Sequence, residues 1–469
     1  KNKKTSLPKV KYCIQEYTQG SSKKIYGPYV GHFHKYTASE LKKAETAGGK
    51  VKFTMKPVVK LAKGKNNMKG GLWTKKETIN IKKATSDVCK LAIGKLIEII
   101  GNRPLEGKIK ISGSKNASLP IMIASLLTKE KVELSNIPNL SDVLTLIDLM
   151  KSLGANIEHD KSLELKGKIS CITKEILHSE ASYDLVRKMR ASFWVLAPLI
   201  ARYGEAKVSL PGGCAIGIRP IDFYLSILKK MGVKLKLKDG YVYASIKNQL
   251  KSLNFSLDFP SVGVTHFFLM MASLAEGKSI INNAAKEPEV IALAEMLNKM
   301  GAKIKGHGTN TISIEGVSNL NGTKFSIPPD RIEAGTFAIA VSATGGNISL
   351  EGVNPDEITL LSNLLRESGT KITTSKNLMK IKKDNKIINS IDVSTAPYPG
   401  FPTDLQAQFM TLMALGNGKS SIKENIFENR FMHVQELARF GANIKLKGDT
   451  AFIRGVKEFN SAPVMATDL

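Results

Sequence analysis

Four stretches of the chain gather side chains able to move protons or meet anionic groups. Residues 111–117 place Gly113 between two serines and follow them with Lys115 and Asn116. A glycine among small residues ahead of a helix exposes backbone N–H groups, and a lysine beside them can meet a phosphate or carboxylate; a helix cap with a surface lysine would use the same residues. Residues 211–220 hold Gly212, Gly213 and Gly217 with Cys214 among them and Arg219 close by. A thiol in such a loop could have an altered pKa and act as proton donor or nucleophile, or it could be a small buried residue at a turn. In residues 401–408, Asp404 follows Thr403 at a helix start, where it is either a general base facing a ligand hydroxyl or a cap. Residues 426–433 end in His433, which has no ligand partner at helical spacing and reads as structural. Residues 261–263, 287–289 and 330–333 are weaker candidates of the same kind.

The elements that must position these residues repeat. An apolar helix-like pattern running into glycine and then into an alternating strand occurs five times, at Gly154, Gly232, Gly301, Gly369 and Gly441, with spacings of 78, 69, 68 and 72 residues. Glycine stops a helix because it reaches the left-handed conformation without a Cβ clash, and the alternation that follows predicts a strand with one buried face. The unit reads as strand, loop, helix, glycine, strand, strand over about 70 residues, too long for a thin solenoid repeat and suited to a compact α/β unit. Closing such an array needs a last unit to cover the first. A sixth glycine would fall near position 510, so the C-terminus at Leu469 is expected to be truncated, and the start at Lys1 rather than Met to be incomplete or processed.

Charge divides the 469 residues unevenly. Residues 1–96 carry 23 lysines, no arginine and five acids, a net +18 of the chain's +28, and lie outside the repeat. Such asymmetry marks a separate basic module. Its Tyr12, Tyr17, Tyr26, Tyr29, Phe33, Tyr36, Phe53 and Trp73 interleave with lysines, a pattern that could stack on and neutralise nucleic acid; a solvated lysine-rich tail or a segment joined from a neighbouring reading frame are the alternatives. Residues 9–17 and 50–60 alternate like strands, and 38–47 could form a helix. The longest apolar stretches, near 193–201 and 267–275, fall far short of the roughly 20 residues of a membrane helix, and no secretory signal is evident. Cys13, Cys89, Cys171 and Cys214 form no CxxC pair, which argues against a zinc site or disulfide scaffold and for a reduced, cytoplasmic protein.

Taken in order, eight motifs resemble one family, the UDP-N-acetylglucosamine 1-carboxyvinyltransferases of peptidoglycan synthesis. They are SGSKNASLP (112–120), LVRKMRASFWVLAPL (185–199), SLPGGCAIGIRPID (209–222), AAKEPE (284–289), PDRIEAGTF (329–337), FPTDLQAQF (401–409), FENRFMHVQELARFGA (427–442) and VMATDL (464–469). The resemblance spans about residues 95–469. It implies an α/β protein of two inside-out α/β barrel domains, each built from three βαβ-type units with helices inside and sheets outside. One domain would be continuous over residues 115–328; the other would combine 97–114 with 329–469 and lack its last repeat.

The implied reaction moves the enolpyruvyl group of phosphoenolpyruvate onto the 3′-hydroxyl of UDP-N-acetylglucosamine. By resemblance, Cys214 donates the proton, Asp404 contacts and deprotonates the hydroxyl, and Lys115 and Arg219 are cations at the phosphoenolpyruvate charge, an electrostatic role. Asn116 belongs to the same patch; Arg190, Arg219, Pro220, Ile221, Asp222, Phe223, Ser261, Val262 and Ile426 match positions around the UDP-sugar. No metal or organic cofactor is implied, and a loop cysteine implies sensitivity to the epoxide antibiotic fosfomycin. Tyr224 and Phe259 stand where some members carry a histidine and a lysine. Two family arginines beyond the ATDL motif are absent, so the chain as given is expected to be poorly folded or inactive. The alternatives are a non-catalytic derivative carried by a nucleic-acid-binding N-terminal module, and a shikimate-type enolpyruvyl transferase.

Overall fold

A computed structural model describes residues 16–19, 22–25, 51–52, 99, 101, 103–159, 167–211, 221–385 and 387–465. The chain divides into two compact units, Lys1–Gly101 and Asn102–Leu469. In the first, strand Glu16–Gln19 pairs antiparallel with Ser22–Ile25 on one side and Val51–Lys52 on the other. The helix expected at 38–47 and most of the alternating segments at 9–17 and 50–60 lie outside the described residues.

The second unit contains eleven described helices: α1 (Lys115–Ala124), α2 (Ser141–Ser152), α3 (Tyr183–Val186), α4 (Leu196–Tyr203), α5 (Asp222–Lys230), α6 (Val262–Ala272), α7 (Pro288–Lys299), α8 (Arg331–Thr344), α9 (Thr359–Glu367), α10 (Gln406–Met413) and α11 (His433–Arg439). Helices α2, α5, α7, α9 and α11 run into the five repeat glycines, whose φ values lie between 91° and 103°. At each, the N–H of the following residue returns to a carbonyl five residues back, as in Ala155 to Met150 (3.0 Å) and Ala442 to Leu437 (3.1 Å). That bond satisfies a helix-end carbonyl that would otherwise be orphaned, and it needs the left-handed residue before it.

Each glycine is followed by a hairpin in a four-stranded sheet, and all five sheets share one topology. A short edge strand pairs parallel with a second strand, which pairs antiparallel with the hairpin. Asn254–Ser256 thus lies beside Lys278–Asn282, then Thr311–Glu315, then Lys303–Lys305. The sheet of Glu180–Ala181, Glu205–Ser209, Tyr241–Ser245 and Lys234–Lys238 repeats it, as does that of Val393–Ser394, Lys419–Lys423, Thr450–Arg454 and Asn443–Lys447. Parallel neighbours need a crossover; in these three sheets it carries α6, α4 and α10, so the unit holds a second helix that the sequence repeat did not reveal. Helix α6 is buried over residues 264–272 and α1 over 117–124, as a helix apolar on all sides must be. The strands expose one face, so helices lie inside and sheets outside.

Two sheets exchange their edge strands. Leu105–Lys110 pairs parallel with Gly346–Glu351, while Thr323–Ser326 pairs parallel with Val132–Ile137. The chain therefore crosses twice between two hydrophobic clusters, one running from Ala117 to Ile327 and the other built from Ile111 and residues 334–453. The crossings lie side by side: Ser114 N–H donates to Pro328 O (2.8 Å), Asp330 N–H to Ser112 O (2.8 Å), and Gly113 bridges Pro329. A Cβ on Gly113 would stand 1.8 Å from Asn136 O, so only glycine allows this approach. No helix among the described residues is long and apolar enough to cross a membrane.

Candidate active site

The crossings set helix N-termini against one another. Ser114 caps α1, its Oγ accepting from Ala117 N–H (3.2 Å). Asp330 caps α8 with Oδ1, which accepts from Ile332 and Glu333 N–H (2.8 and 3.1 Å), while its Oδ2 takes the Lys115 N–H of α1 (3.0 Å). One carboxylate thus serves two helices at the place where the chain passes between the clusters. Glu333 in the first turn of α8 accepts from Ser112 N–H (2.9 Å) and from its hydroxyl.

Asp404 reaches this point from the third side. It lies in the 3₁₀ turn Thr403–Leu405 ahead of α10. Its Oδ2 accepts from Asn116 Nδ2 (3.1 Å) and its Oδ1 from Arg430 Nη1 (2.7 Å). Burial alone would raise the carboxyl, but the Arg430 charge and hydrogen bond, the Asn116 amide and the Lys115 charge outweigh it and hold the group below its ordinary value. The Asp404 carboxylate spends its oxygens on these two partners, not on helix N–H groups, so the capping alternative does not describe it. Lys115 Nζ lies 3.9 Å from Asp142 Oδ2 and both side chains are partly exposed, leaving the ammonium near the surface of the site.

Nothing in the sequence marks Arg430 beyond its place in one of the quoted motifs. It is 1% exposed, and its Nη1 also donates to Thr403 Oγ1 (3.0 Å). Glu424 braces the same segment: it accepts from the Thr395 and Thr403 hydroxyls (2.8 and 2.9 Å) and from Ile426 and Phe427 N–H (2.8 and 3.2 Å). Ile426 is held by that bond. Neither residue carries a signal in the sequence, because the groups that pair with these buried charges lie 21–29 residues earlier in the chain.

Of the residues matched to the UDP-sugar, Ile426 thus lies on the Asp404 side, while Arg190, Ile221, Asp222, Phe223, Ser261 and Val262 lie with the other cluster. Arg190 opens the 3₁₀ turn Arg190–Val195, Ile221, Asp222 and Phe223 start α5, and Ser261 caps α6 ahead of Val262, its Oγ accepting from Val264 N–H (3.4 Å). Trp194 Nε1 donates to Tyr224 Oη (3.3 Å), and a Cβ on Gly263 would lie 2.6 Å from that hydroxyl, so the three segments meet around Trp194, Tyr224 and Gly263. Tyr224 is buried between the Phe193 and Phe267 rings, whereas Phe259 is exposed. Cys214, Arg219 and Pro220 lie outside the described residues, as do the last four residues of the chain. Among the described residues no cluster of three or more His, Cys, Asp or Glu side chains could hold a metal ion.

Residues 99–469 match the family model described as EPSP synthase (3-phosphoshikimate 1-carboxyvinyltransferase). A UDP-N-acetylglucosamine 1-carboxyvinyltransferase of Beijerinckia indica is 50% identical over 378 residues, covering 80% of this chain and 88% of the relative. One of Methylorubrum extorquens is 50% identical over 382 residues with the same coverages. The chain belongs to the UDP-N-acetylglucosamine 1-carboxyvinyltransferase family. The fold of this carboxyvinyltransferase is also that of the enolpyruvyl transferase NikO from Streptomyces tendae, at a TM-score of 0.68 and 20% identity over 76% of this chain and 83% of that one. An EPSP synthase from Acinetobacter baumannii aligns at 0.58 and 19% over 78% and 85%. The transferase is an α/β protein with the repeated unit expected from its glycines, and its family match begins beyond the lysine-rich residues 1–96.

Proposed function

We propose that the chain transfers the enolpyruvyl group of phosphoenolpyruvate to the 3′-hydroxyl of UDP-N-acetylglucosamine with release of phosphate, the first committed step of peptidoglycan precursor synthesis, and that it works in the cytoplasm. The observation that carries the reading is the Asp404 carboxylate, held ionised between Arg430 and Asn116 beside Lys115, in a chain half identical to curated carboxyvinyltransferases.

In the addition step the sugar oxygen bonds to the phosphate-bearing carbon of phosphoenolpyruvate, its proton passes to Asp404, and Cys214 gives a proton to the methylene carbon. Loss of a proton from the new methyl group then restores the double bond as phosphate leaves. A carboxylate held this low is a weak base in the ground state. It takes the proton as the oxygen–carbon bond forms, when the hydroxyl becomes acidic. Lys115 and Arg219 offset the charge of phosphoenolpyruvate, with the converging N-termini of α1 and α8 adding partial positive charge. Arg190, Ile221–Phe223, Ser261, Val262 and Ile426 are the proposed surroundings of the UDP-sugar, with Pro220 beside them. The two hydrophobic clusters support a division into residues 115–328 and residues 97–114 with 329–469, so that the site lies at the seam between them.

The test is phosphate release from phosphoenolpyruvate on addition of UDP-N-acetylglucosamine, with the enolpyruvyl ether identified by mass. Turnover of shikimate 3-phosphate in place of the UDP-sugar would overturn the substrate assignment.

A further inference from the structure

The loop that delivers Asp404 is fastened across the seam by groups outside the set assigned to substrate binding and proton transfer. Residues 395–401 form a closed turn: Thr395 bridges Phe401, Ala396 N–H donates to Phe401 O (3.0 Å), and Gly400 N–H donates to Pro397 O (2.8 Å). The base of the turn is bound to Glu424 through Thr395 and Thr403. Tyr398 stands at its tip, six residues before Asp404. A turn closed in this way moves as one piece, so the place of Tyr398 fixes the place of Asp404.

Tyr398 is engaged from both sides. Its N–H donates to Glu287 Oε1 (3.2 Å), 111 residues away, at the head of α7 in the cluster that contains α1. Its ring lies 5.6 Å from the Arg331 guanidinium, within cation–π reach. Arg331 opens α8 and is itself gripped from α7: Nε donates to Glu289 Oε1 (3.2 Å) and Nη2 to Glu289 Oε2 (3.5 Å). Arg331, Glu287 and Glu289 are 8%, 9% and 3% exposed, so water does not screen the pair, and the planar guanidinium fork fixes direction as well as distance. Helix α7 packs against α1, which carries Lys115 and Asn116. The same helix pair therefore sets both halves of the site.

We propose that Glu287, Glu289, Arg331 and Tyr398 are positioning residues, a clasp from α7 that holds the Asp404 loop in register with Lys115 and Asn116. The assignment of Asp404 to proton transfer rests on the function proposed above; the placement of the loop does not. Glu287 and Glu289 act through backbone and guanidinium contacts, and Arg331 acts through the Tyr398 ring.

The experiment compares full-length wild type, Arg331→Lys, Tyr398→Ala and Tyr398→Phe by amide hydrogen exchange and by steady-state kinetics. Arg331→Lys keeps the charge and loses the fork; Tyr398→Ala keeps the N–H and loses the ring. Both are expected to speed exchange across residues 395–405 by about tenfold, leaving strands Lys278–Asn282 and Gly346–Glu351 as in wild type. Both should lower kcat about tenfold or more while each KM changes less than about threefold, because a misplaced base is felt in the transition state. Tyr398→Phe, which keeps the ring, should restore wild-type exchange. Unchanged exchange in 395–405 for a folded Tyr398→Ala protein overturns the proposal, as does a uniform rise across the unit. Should the wild type not turn over, the exchange comparison would still decide the clasp.

Discussion

Asn116 and Asp404 are 288 residues apart in the chain and joined by a 3.1 Å hydrogen bond from Nδ2 to Oδ2. The amide belongs to α1 and the carboxylate to the turn before α10, so this bond ties the two hydrophobic clusters at the point where proton transfer is assigned. Asn116→Ala is expected to lower kcat by about tenfold or more, with a smaller change in KM, because it frees one carboxylate oxygen to turn. Steady-state rates with both substrates varied check this.

Arg430 governs the ionisation of Asp404. With the guanidinium present the carboxyl titrates below its ordinary value, so the acid side of the rate profile should be flat through weakly acidic pH. In Arg430→Gln the two Arg430 contributions are gone, the carboxyl pKa rises, and activity is lost at higher pH than in wild type. A kcat/KM profile from pH 4 to 8 reads the shift, and a profile unchanged in position would show that Asp404 does not set the acid limb. Asp404→Asn, which cannot accept the proton, should lower kcat by roughly 10²–10⁴-fold at all pH values.

His266 offers a pH effect on stability. It is buried in α6, and burial pushes its imidazole down to about 4. The unfolded chain binds a proton near the ordinary value of about 6.5 while the folded chain does not, so stability is complete above about pH 6.5 and declines as pH falls toward 4. The span corresponds to about 3 kcal/mol at most. Urea unfolding at pH 7, 5.5 and 4.5 should show that slope, and His266→Phe should flatten it.

Gly113 has no room for a side chain, with the Asn136 carbonyl 1.8 Å from the place a Cβ would take. Gly113→Ala must push the two crossings apart and should cost about 1–3 kcal/mol, as other forced overpacking does. Because the same crossings align Ser114, Lys115 and Asp330, activity should fall further than the folded fraction does.

Cys214 is assigned as proton donor by resemblance. Wild type should be alkylated and inactivated by fosfomycin, and Cys214→Asp should escape inhibition while keeping turnover. Inhibition that persists in Cys214→Asp would place the alkylated residue elsewhere.

The five glycines made the repeat legible because a left-handed helix end admits few other residues, and each of them proves to carry φ between 91° and 103°. The buried helices leave no such mark. A run such as residues 267–272 is apolar on every side and has no period to betray a helix. Lys115 and Asp404 stand out by type and Asn116 by resemblance, and the structure places Asn116 and Asp404 in contact. Arg430 did not stand out, since its meaning lies in a carboxylate 26 residues earlier that only the fold brings to 2.7 Å. Glu289 and Arg331 are weak candidates in the sequence for the same reason: 42 residues separate two halves of one ion pair. Spacing reveals partners on one helix or hairpin and is silent about partners on different ones.

The exchanged edge strands impose an order of events on the ribosome. Leu105 waits for Gly346, 241 residues later, before its strand has a neighbour. At roughly 5–20 residues per second that is on the order of 10–50 s of synthesis. The sheet begun by Val132 is likewise incomplete until Thr323 emerges. Leu105–Lys110 therefore spends that interval without its sheet partner, and its Glu106, Lys108 and Lys110 are the kind of charged residues that keep an unpaired edge from joining other strands.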